Sequence, residues 1–225
     1  MGREVSEIDI LDRLRRLDVC ALSDALDALG LPAATSGIAR RSGGRIIADR
    51  VSTVTLAAGP PSPGAPKVHL CARAIDAARP GTVIVVSHPG ADAGGWGGVL
   101  SHAARRQGVE GVIVDGPTRD LDEAIALSFP VFARSVTART ARGRVHEVAT
   151  DAPIEVGGVR VMAGDVVVAD GSGVAFLPAA RVTDVLAMAE RIAAKERLMT
   201  EAIRLGQPVS QVMGADYETM LEGLR

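Results

Sequence analysis

Apolar positions recur at helical spacing between Ile8 and Leu29, at Leu11, Leu14, Leu22, Ala25, Leu26 and Leu29, and the stretch closes on Gly30 and Pro32. That spacing predicts two short amphipathic helices over about residues 8–30, with Ser23 or Asp24 opening the second. From Arg45 to Ala57 the period drops to two and β-branched residues dominate, which predicts a strand, followed by a Pro/Gly surface loop at Gly59–Pro66. Ala72–Ala78 reads as a helix, and Thr82–Ser87 is a continuous apolar run suited to a strand buried on both faces. The glycine-rich loop HPGADAGGWGG then leads into a helix at Val99–Gln107, and Gly111–Asp115 forms a second buried run. This is a strand, glycine loop, helix, strand unit of a parallel sheet. Short β-branched runs between glycine turns fill Pro130–Pro178 as a compact β layer, and a charged amphipathic helix covers about residues 181–206. No internal repeat and no second domain interrupts residues 1–225, so the pattern predicts one mixed α/β domain.

Charge adds mainly exclusions. The 25 Lys and Arg nearly cancel the 27 Asp and Glu, so there is no electrostatic footprint for a nucleic acid. The first residues carry charges instead of a continuous apolar segment, and no apolar run approaches the roughly 20 residues a bilayer needs. A cytoplasmic protein without membrane contact is expected. Cys20 and Cys71 are too few for a disulfide framework or a thiolate zinc site and read as buried or neutral fillers. Of the 25 cations only Lys67 and Lys195 are lysines, which restricts Schiff-base chemistry. Aromatic residues make up 2%, too few for base-stacking platforms.

Two loops carry candidate chemistry. Gly90, Gly94, Gly95, Gly97 and Gly98 surround Trp96 just before a helix, where bare amides can receive an anion. The loop has neither a G-K-[ST] ending nor GxGxxG spacing, so it serves a carboxylate or small phosphate, or is a tight turn with no ligand. The second loop, within VDGPTRD, places Asp115, Arg119 and Asp120 beyond the next buried strand. Ligands bind beyond the carboxyl ends of parallel strands, so the two loops should share one crevice. His88 and His102 flank the glycine loop as hydrogen-bonded or solvated bystanders, and Ser101-His102 lacks the G-x-S-x-G elbow of a hydrolase. His146-Glu147 has no second His four residues on, which excludes zincin chemistry, while Trp96 reads as a packing anchor and Asp170 as a turn former.

The segments GWGGVLSHAARRQGVEGVIVDGPTRDLDE, FPVFAR and GGVRVMAGDVVVADGSGVAFLP resemble the RraA-like family over roughly Leu14 to Gly206. That family contains metal-dependent 4-hydroxy-4-methyl-2-oxoglutarate / 4-carboxy-4-hydroxy-2-oxoadipate aldolases. The resemblance implies a swivelling β/β/α fold assembled into homotrimers or homohexamers, with the site at a subunit interface. It implies that Arg119 contacts the pyruvyl group, that Asp120 is the protein ligand of Mg²⁺ or Mn²⁺, and that the backbone of Gly97, Gly98, Val99 and Leu100 binds the substrate. A Glu on the neighbouring subunit's C-terminal helix, which holds metal-bound water, corresponds to Glu196, with Glu190 and Glu201 as alternatives. Several aldolase members carry an acid where this chain has Gly98, leaving Asp92, Asp115 or a metal-bound water as the proton acceptor.

Cleaving a C–C bond β to a ketone leaves an enolate, which needs a lysine Schiff base or a Lewis-acid metal. Neither Lys67 nor Lys195 is placed to be a desolvated nucleophile, which favours the metal. The expected activity is therefore cleavage of a 4-hydroxy-2-oxo acid to pyruvate plus an oxo acid. Oxaloacetate decarboxylation, which uses the same enolate, is the alternative. A non-catalytic ribonuclease-binding regulator, also known in the family, is a third reading, but such members lack the Arg-Asp pair that stands here at Arg119-Asp120.

Overall fold

The structure is a computed structural model that describes residues 6–32, 34–64 and 68–214. Lys67 and Tyr217 fall outside the described residues. Two N-terminal helices, α1 (Glu7–Leu14) and α2 (Val19–Ala28), precede strands β1 (Ala39–Ser42) and β2 (Ile47–Ala58). Next come α3 (Ala72–Ala77), β3 (Val83–Ser87), α4 (Gly98–Gln107), β4 (Gly111–Thr118), α5 (Leu121–Ala126) and β5 (Val131–Val136). Five short strands follow: β6 (Val145–Thr150), β7 (Ile154–Val156), β8 (Val159–Val161), β9 (Val166–Ala169) and β10 (Val174–Leu177). A 3₁₀ turn, Ala179–Arg181, then leads into the long α6 (Val182–Arg204) and a short α7 (Val209–Val212).

The expected second helix start is corrected by capping. Ser23 and Asp24 lie inside α2, and the helix instead opens at Asp18, whose Oδ1 accepts the Ala21 N–H at 2.8 Å. An acceptor three residues ahead satisfies an amide that the first turn leaves without a partner. Asp18 sits directly after Leu17, so the break between helices comes earlier than apolar spacing alone indicates.

Strand β2 organises the molecule because its two halves pair differently. Ile47–Arg50 lies antiparallel to β9, while Val51–Thr55 lies parallel to β3. The sheet therefore runs β1-β5-β4-β3-β2-β9-β10, with β6 paired to the end of β2, and β7-β8 forms a separate hairpin. The sheet curls around an inner core that includes Ile47, Val83, Val85, Ile113, Phe132, Val167 and Phe176, closed by Ile154, Val156 and Val161 of the hairpin. On its outer face, α3, α4 and α5 pack on β3–β5 through Ile75, Leu100, Ala104 and Ala124. At the other end α1, α2 and α6 cover β9 and β10 through Leu14, Leu22, Leu26, Leu186 and Ile192. The β/β/α layering matches the expectation from family resemblance, and the buried runs read as parallel strands are parallel. Among the described residues, no helix is long and apolar enough to cross a membrane.

Helix α1 is clamped to α6 by Arg13, whose Nε and Nη2 donate to the Glu190 carboxylate at 2.8 and 2.5 Å. Those bonds hold the Glu190 pKa below its ordinary 4.5. A carboxylate with a depressed folded-state pKa stabilises above its unfolded value and loses that contribution as acid protonates it. Both side chains are more than a third exposed, so the pair contributes no more than about 1 kcal/mol. Glu190→Gln should lower stability by less than about 1 kcal/mol at pH 7 in urea unfolding. The gap between variant and parent should close as the pH falls through the carboxylate range.

Candidate active site

Strands β3 and β4 are parallel neighbours, with Val83 beside Gly111 and Val86 beside Val114. Their carboxyl ends therefore open side by side, and hydrogen bonds lock the two following loops together. The Gly95 N–H donates to Pro117 O at 2.8 Å and the Arg119 N–H to Trp96 O at 3.0 Å. Trp96 anchors this junction in the core, stacked on Phe129 with ring centroids 6.2 Å apart, and its Nε1–H donates to Ser101 Oγ at 2.9 Å. Ser101, only 1% exposed, returns a bond to Gly97 O at 3.1 Å, so it supports the turn and is no nucleophile.

Asp120 follows β4 in the left-handed region, at φ 55° and ψ 43°. A short polar residue tolerates that conformation better than most, though at a cost, and it turns the carboxylate back toward α4. Asp120 Oδ2 accepts the Gly98 N–H at 3.0 Å, and Oδ1 accepts Arg119 Nε–H at 3.1 Å. Glycine is required for this approach. A Cβ at Gly97 would lie 2.7 Å from Asp120 Oδ2, and one at Gly94 would lie 2.9 Å from Arg119 Cγ.

Gly97, Gly98, Val99, Leu100, Arg119 and Asp120 line one cavity of ≈ 150 Å³, smaller than the roughly 300–1,000 Å³ of typical drug-sized sites. Its far wall comes from His69, Leu70, Thr140 and Ala141, on loops whose position only the tertiary fold sets. The amides of Val99 and Leu100 lie in the first turn of α4, where no carbonyl four residues back is available to them. The cavity thus gathers the first-turn amides of α4, a guanidinium, and a carboxylate that already takes the Gly98 N–H. It suits a small carboxylic acid.

Residues 19–176 match the RraA-like family, described as Aldolase/RraA. This chain belongs to the RraA-like family. A protein of Halalkalibacterium halodurans, named as a candidate 4-hydroxy-4-methyl-2-oxoglutarate aldolase, is 32% identical over 207 residues, covering 88% of this chain and 90% of that protein. Protein DlpA of Legionella pneumophila is 28% identical over 204 residues, 90% of this chain, yet the chain spans only 33% of DlpA's length. Streptomyces coelicolor RraAS2, described as an unusual member of the RNase ES inhibitor RraA protein family, shares the fold with a TM-score of 0.77. It is 24% identical, over 86% of this chain and 97% of that one.

Several acids in this RraA-like chain are committed elsewhere. Asp115 accepts bonds from Arg134 and, at 2.9 Å, from the Gly157 N–H, tying β4 to the β7-β8 hairpin. Asp92 pairs with Arg139 at 3.2 Å and with Thr137 Oγ1 at 2.9 Å. Neither lines the cavity, which corrects their candidacy as proton acceptor. Glu147 is buried and receives the Cys71 N–H and Arg73 Nε–H at 2.6 and 2.7 Å, a structural use. Burial keeps the Cys71 thiol protonated, while Cys20 is exposed, so of the two only Cys71 is a buried filler. Lys195 is exposed on α6, and His102 is exposed on α4.

Glu196 lies on α6 in a separate hollow with Arg16, Asp18 and Arg197, remote from the residues around Asp120. Burial, then the neighbouring Asp18 and Asp24, raise its pKa above the ordinary value. Glu201 stands near Arg204 on the same helix, and Glu190 is held by Arg13. One acid that sequence reasoning missed, Glu123 on the first turn of α5, points to the start of α4.

Among the described residues, no group of three His, Cys, Asp or Glu side chains converges as a metal cage. Each Asp120 oxygen accepts one hydrogen bond and retains a second lone pair. A single carboxylate with free lone pairs suits Mg²⁺ or Mn²⁺, which keep waters and substrate oxygens, and does not suit a closed four-ligand zinc site.

His88 braces both loops. Its Nε2–H donates to Ala93 O at 3.0 Å, its Nδ1 accepts the Gly90 N–H at 3.2 Å, and its ring fills the space over Gly95 and Gly116. This bonding needs the neutral imidazole, and burial lowers the pKa below the ordinary 6.5. Below pH about 6.5 the unfolded chain takes up a proton that folded His88 refuses, so stability falls with pH until folded His88 protonates too. Urea unfolding should show that decline between pH 7.5 and 5.5, and His88→Gln should flatten it while lowering stability at pH 7. An unchanged slope in the variant would contradict the assignment.

Proposed function

We propose that this chain is a divalent-metal-dependent lyase that cleaves a 4-hydroxy-2-oxo acid, such as 4-hydroxy-4-methyl-2-oxoglutarate, to pyruvate and a second oxo acid. The observation that carries this reading is Arg119-Asp120, which directly follow β4 and line one small cavity together with the first-turn amides of α4. The aldolase name borne by the Halalkalibacterium halodurans relative supports the same chemistry.

Asp120 is the residue that would hold Mg²⁺ or Mn²⁺. When bound, the cation supplies Lewis-acid stabilisation of the enolate oxygen that C–C cleavage creates. The Val99 and Leu100 amides, at the positive end of α4, receive the substrate carboxylate, and Gly97-Gly98 let Asp120 and Arg119 lie close beside them. The Arg119 guanidinium, about one third exposed, opposes the growing negative charge of the enolate. Its Nε bond to Asp120 fixes its direction before substrate arrives, so reorienting it costs little during reaction. Trp96 and Ser101 keep the turn rigid without touching the reacting atoms.

In this reading the chain works as a homotrimer or homohexamer. Glu196 lines a different hollow from Asp120, and in this reading it serves the site of a neighbouring copy. The exposed Leu198, Ile203 and Leu205 on the same end of α6 and just beyond it provide apolar surface for that contact. Oxaloacetate is a second substrate to weigh, because its decarboxylation passes through the same enolate and needs no hydroxyl deprotonation.

Pyruvate release, followed by coupled reduction to lactate, should be observed from 4-hydroxy-4-methyl-2-oxoglutarate with Mg²⁺ and abolished by EDTA. Asp120→Ala should lose at least about 100-fold in rate, and Arg119→Lys a comparable factor in kcat, the range expected when a positioned charge-stabilising group is removed. The ratio of rates on this substrate and on oxaloacetate chooses between aldolase and decarboxylase. No release from either by folded, Mg²⁺-loaded protein would overturn the lyase reading and favour a binding role.

A further inference from the structure

Gly98 leaves a gap at the start of α4, and the structure fills it from another helix. A Cβ built on Gly98 would lie 1.5 Å from Glu123 Oε2, 2.5 Å from Glu123 Cδ and 3.3 Å from Asp120 Cβ. The Glu123 carboxylate therefore occupies the volume of an absent side chain at position 98, next to Asp120. Glu123 is the third residue of α5, and the left-handed turn at Asp120 just before that helix leaves both side chains beside the start of α4.

Glu123 is exposed. Arg119 pairs with Asp120 Oδ1, whereas among the described residues no cation and no protein hydrogen-bond donor engages the Glu123 carboxylate. Asp122 adds another negative charge on the same first turn of α5. Two neighbouring carboxylates, of which only Asp120 is paired with a guanidinium, leave a net negative charge that a divalent cation would offset. Arg119, Asp120 and Glu123 also line a shallow hollow that adjoins the cavity, so Asp120 stands between the two spaces.

We propose that Glu123 is the second carboxylate of the cation site, holding the water shell of a divalent cation bound by Asp120 and replacing from α5 the side chain that Gly98 lacks. The inference rests on Asp120 as the direct ligand. Mg²⁺ and Mn²⁺ typically retain several waters beside one or two carboxylates, and groups that orient such waters tune affinity.

The test is Mn²⁺ binding to the full chain by titration calorimetry without substrate, beside thermal melting in EDTA. Glu123→Gln should weaken Mn²⁺ binding about 10- to 100-fold, the range for groups that act through a metal's inner ligands. In EDTA it should melt no lower than the parent, because it relieves repulsion between adjacent carboxylates. Glu123→Ala should bind as poorly, and Glu123→Ala combined with Gly98→Asp should recover most of the affinity. The added Asp places a carboxylate in the vacated volume, on helical backbone that accepts any side chain there. Parent-like affinity in Glu123→Gln, or a double variant no better than Glu123→Ala, would overturn the inference. Absence of Mn²⁺ binding by the parent would overturn it together with the role of Asp120. Glu123-dependent Mn²⁺ binding without pyruvate release would leave the inference standing and contradict the lyase reading alone.

Discussion

The parallel pairing of β3 with β4 is the constraint on which the site depends, because it makes two glycine-bearing loops leave the sheet at neighbouring points. The bonds from Gly95 to Pro117 and from Arg119 to Trp96 then join those loops, and Trp96 roots the junction in the core. The left-handed turn at Asp120 is held by that framework, and it returns the carboxylate to the amide of Gly98. Local strain of this kind persists where surrounding contacts fix the backbone more firmly than the residue's own preference does.

The same framework separates structural from available charge. Glu110 is buried and joined to Arg15 and Arg45, Glu147 holds Cys71 and Arg73, and Asp115 holds the β7-β8 hairpin through Gly157. These acids offset the cost of burial by accepting hydrogen bonds, which leaves them unsuited to exchange protons or bind a cation during turnover. Asp120 and Glu123 differ: both are exposed, the first carboxylate accepts only two hydrogen bonds, and the second accepts none from the described residues. Both acids stand beside the start of α4, near Arg119.

Much of this was legible in the sequence because it depends on short-range pattern. The apolar runs at Thr82–Ser87 and Gly111–Asp115 required burial on both faces, hence parallel strands, and that pairing brought Gly97, Gly98, Arg119 and Asp120 together. What was not legible depends on long-range geometry. Asp92 and Asp115 look available in sequence, yet their partners Arg139, Arg134 and Gly157 arrive from distant segments. Glu123 carries no motif of its own, and its relevance emerges only because α5 lays it over Gly98. The start of α2 was missed for a local reason: Ser23, Asp24 and Asp18 are all competent caps, and packing of Leu17 and Val19 decides among them.

The central claim is that Asp120 binds a divalent cation beside amides that receive a substrate carboxylate. Crystals grown with Mn²⁺ and oxalate, a mimic of the pyruvate enolate, test it through the anomalous signal of manganese. The account predicts a single strong peak at coordination distance from the Asp120 carboxylate, about 2.0–2.3 Å, with oxalate between that peak and the Gly97–Leu100 backbone. A manganese peak elsewhere, for instance at the Asp18 and Glu196 hollow, with Asp120 unliganded, would contradict it.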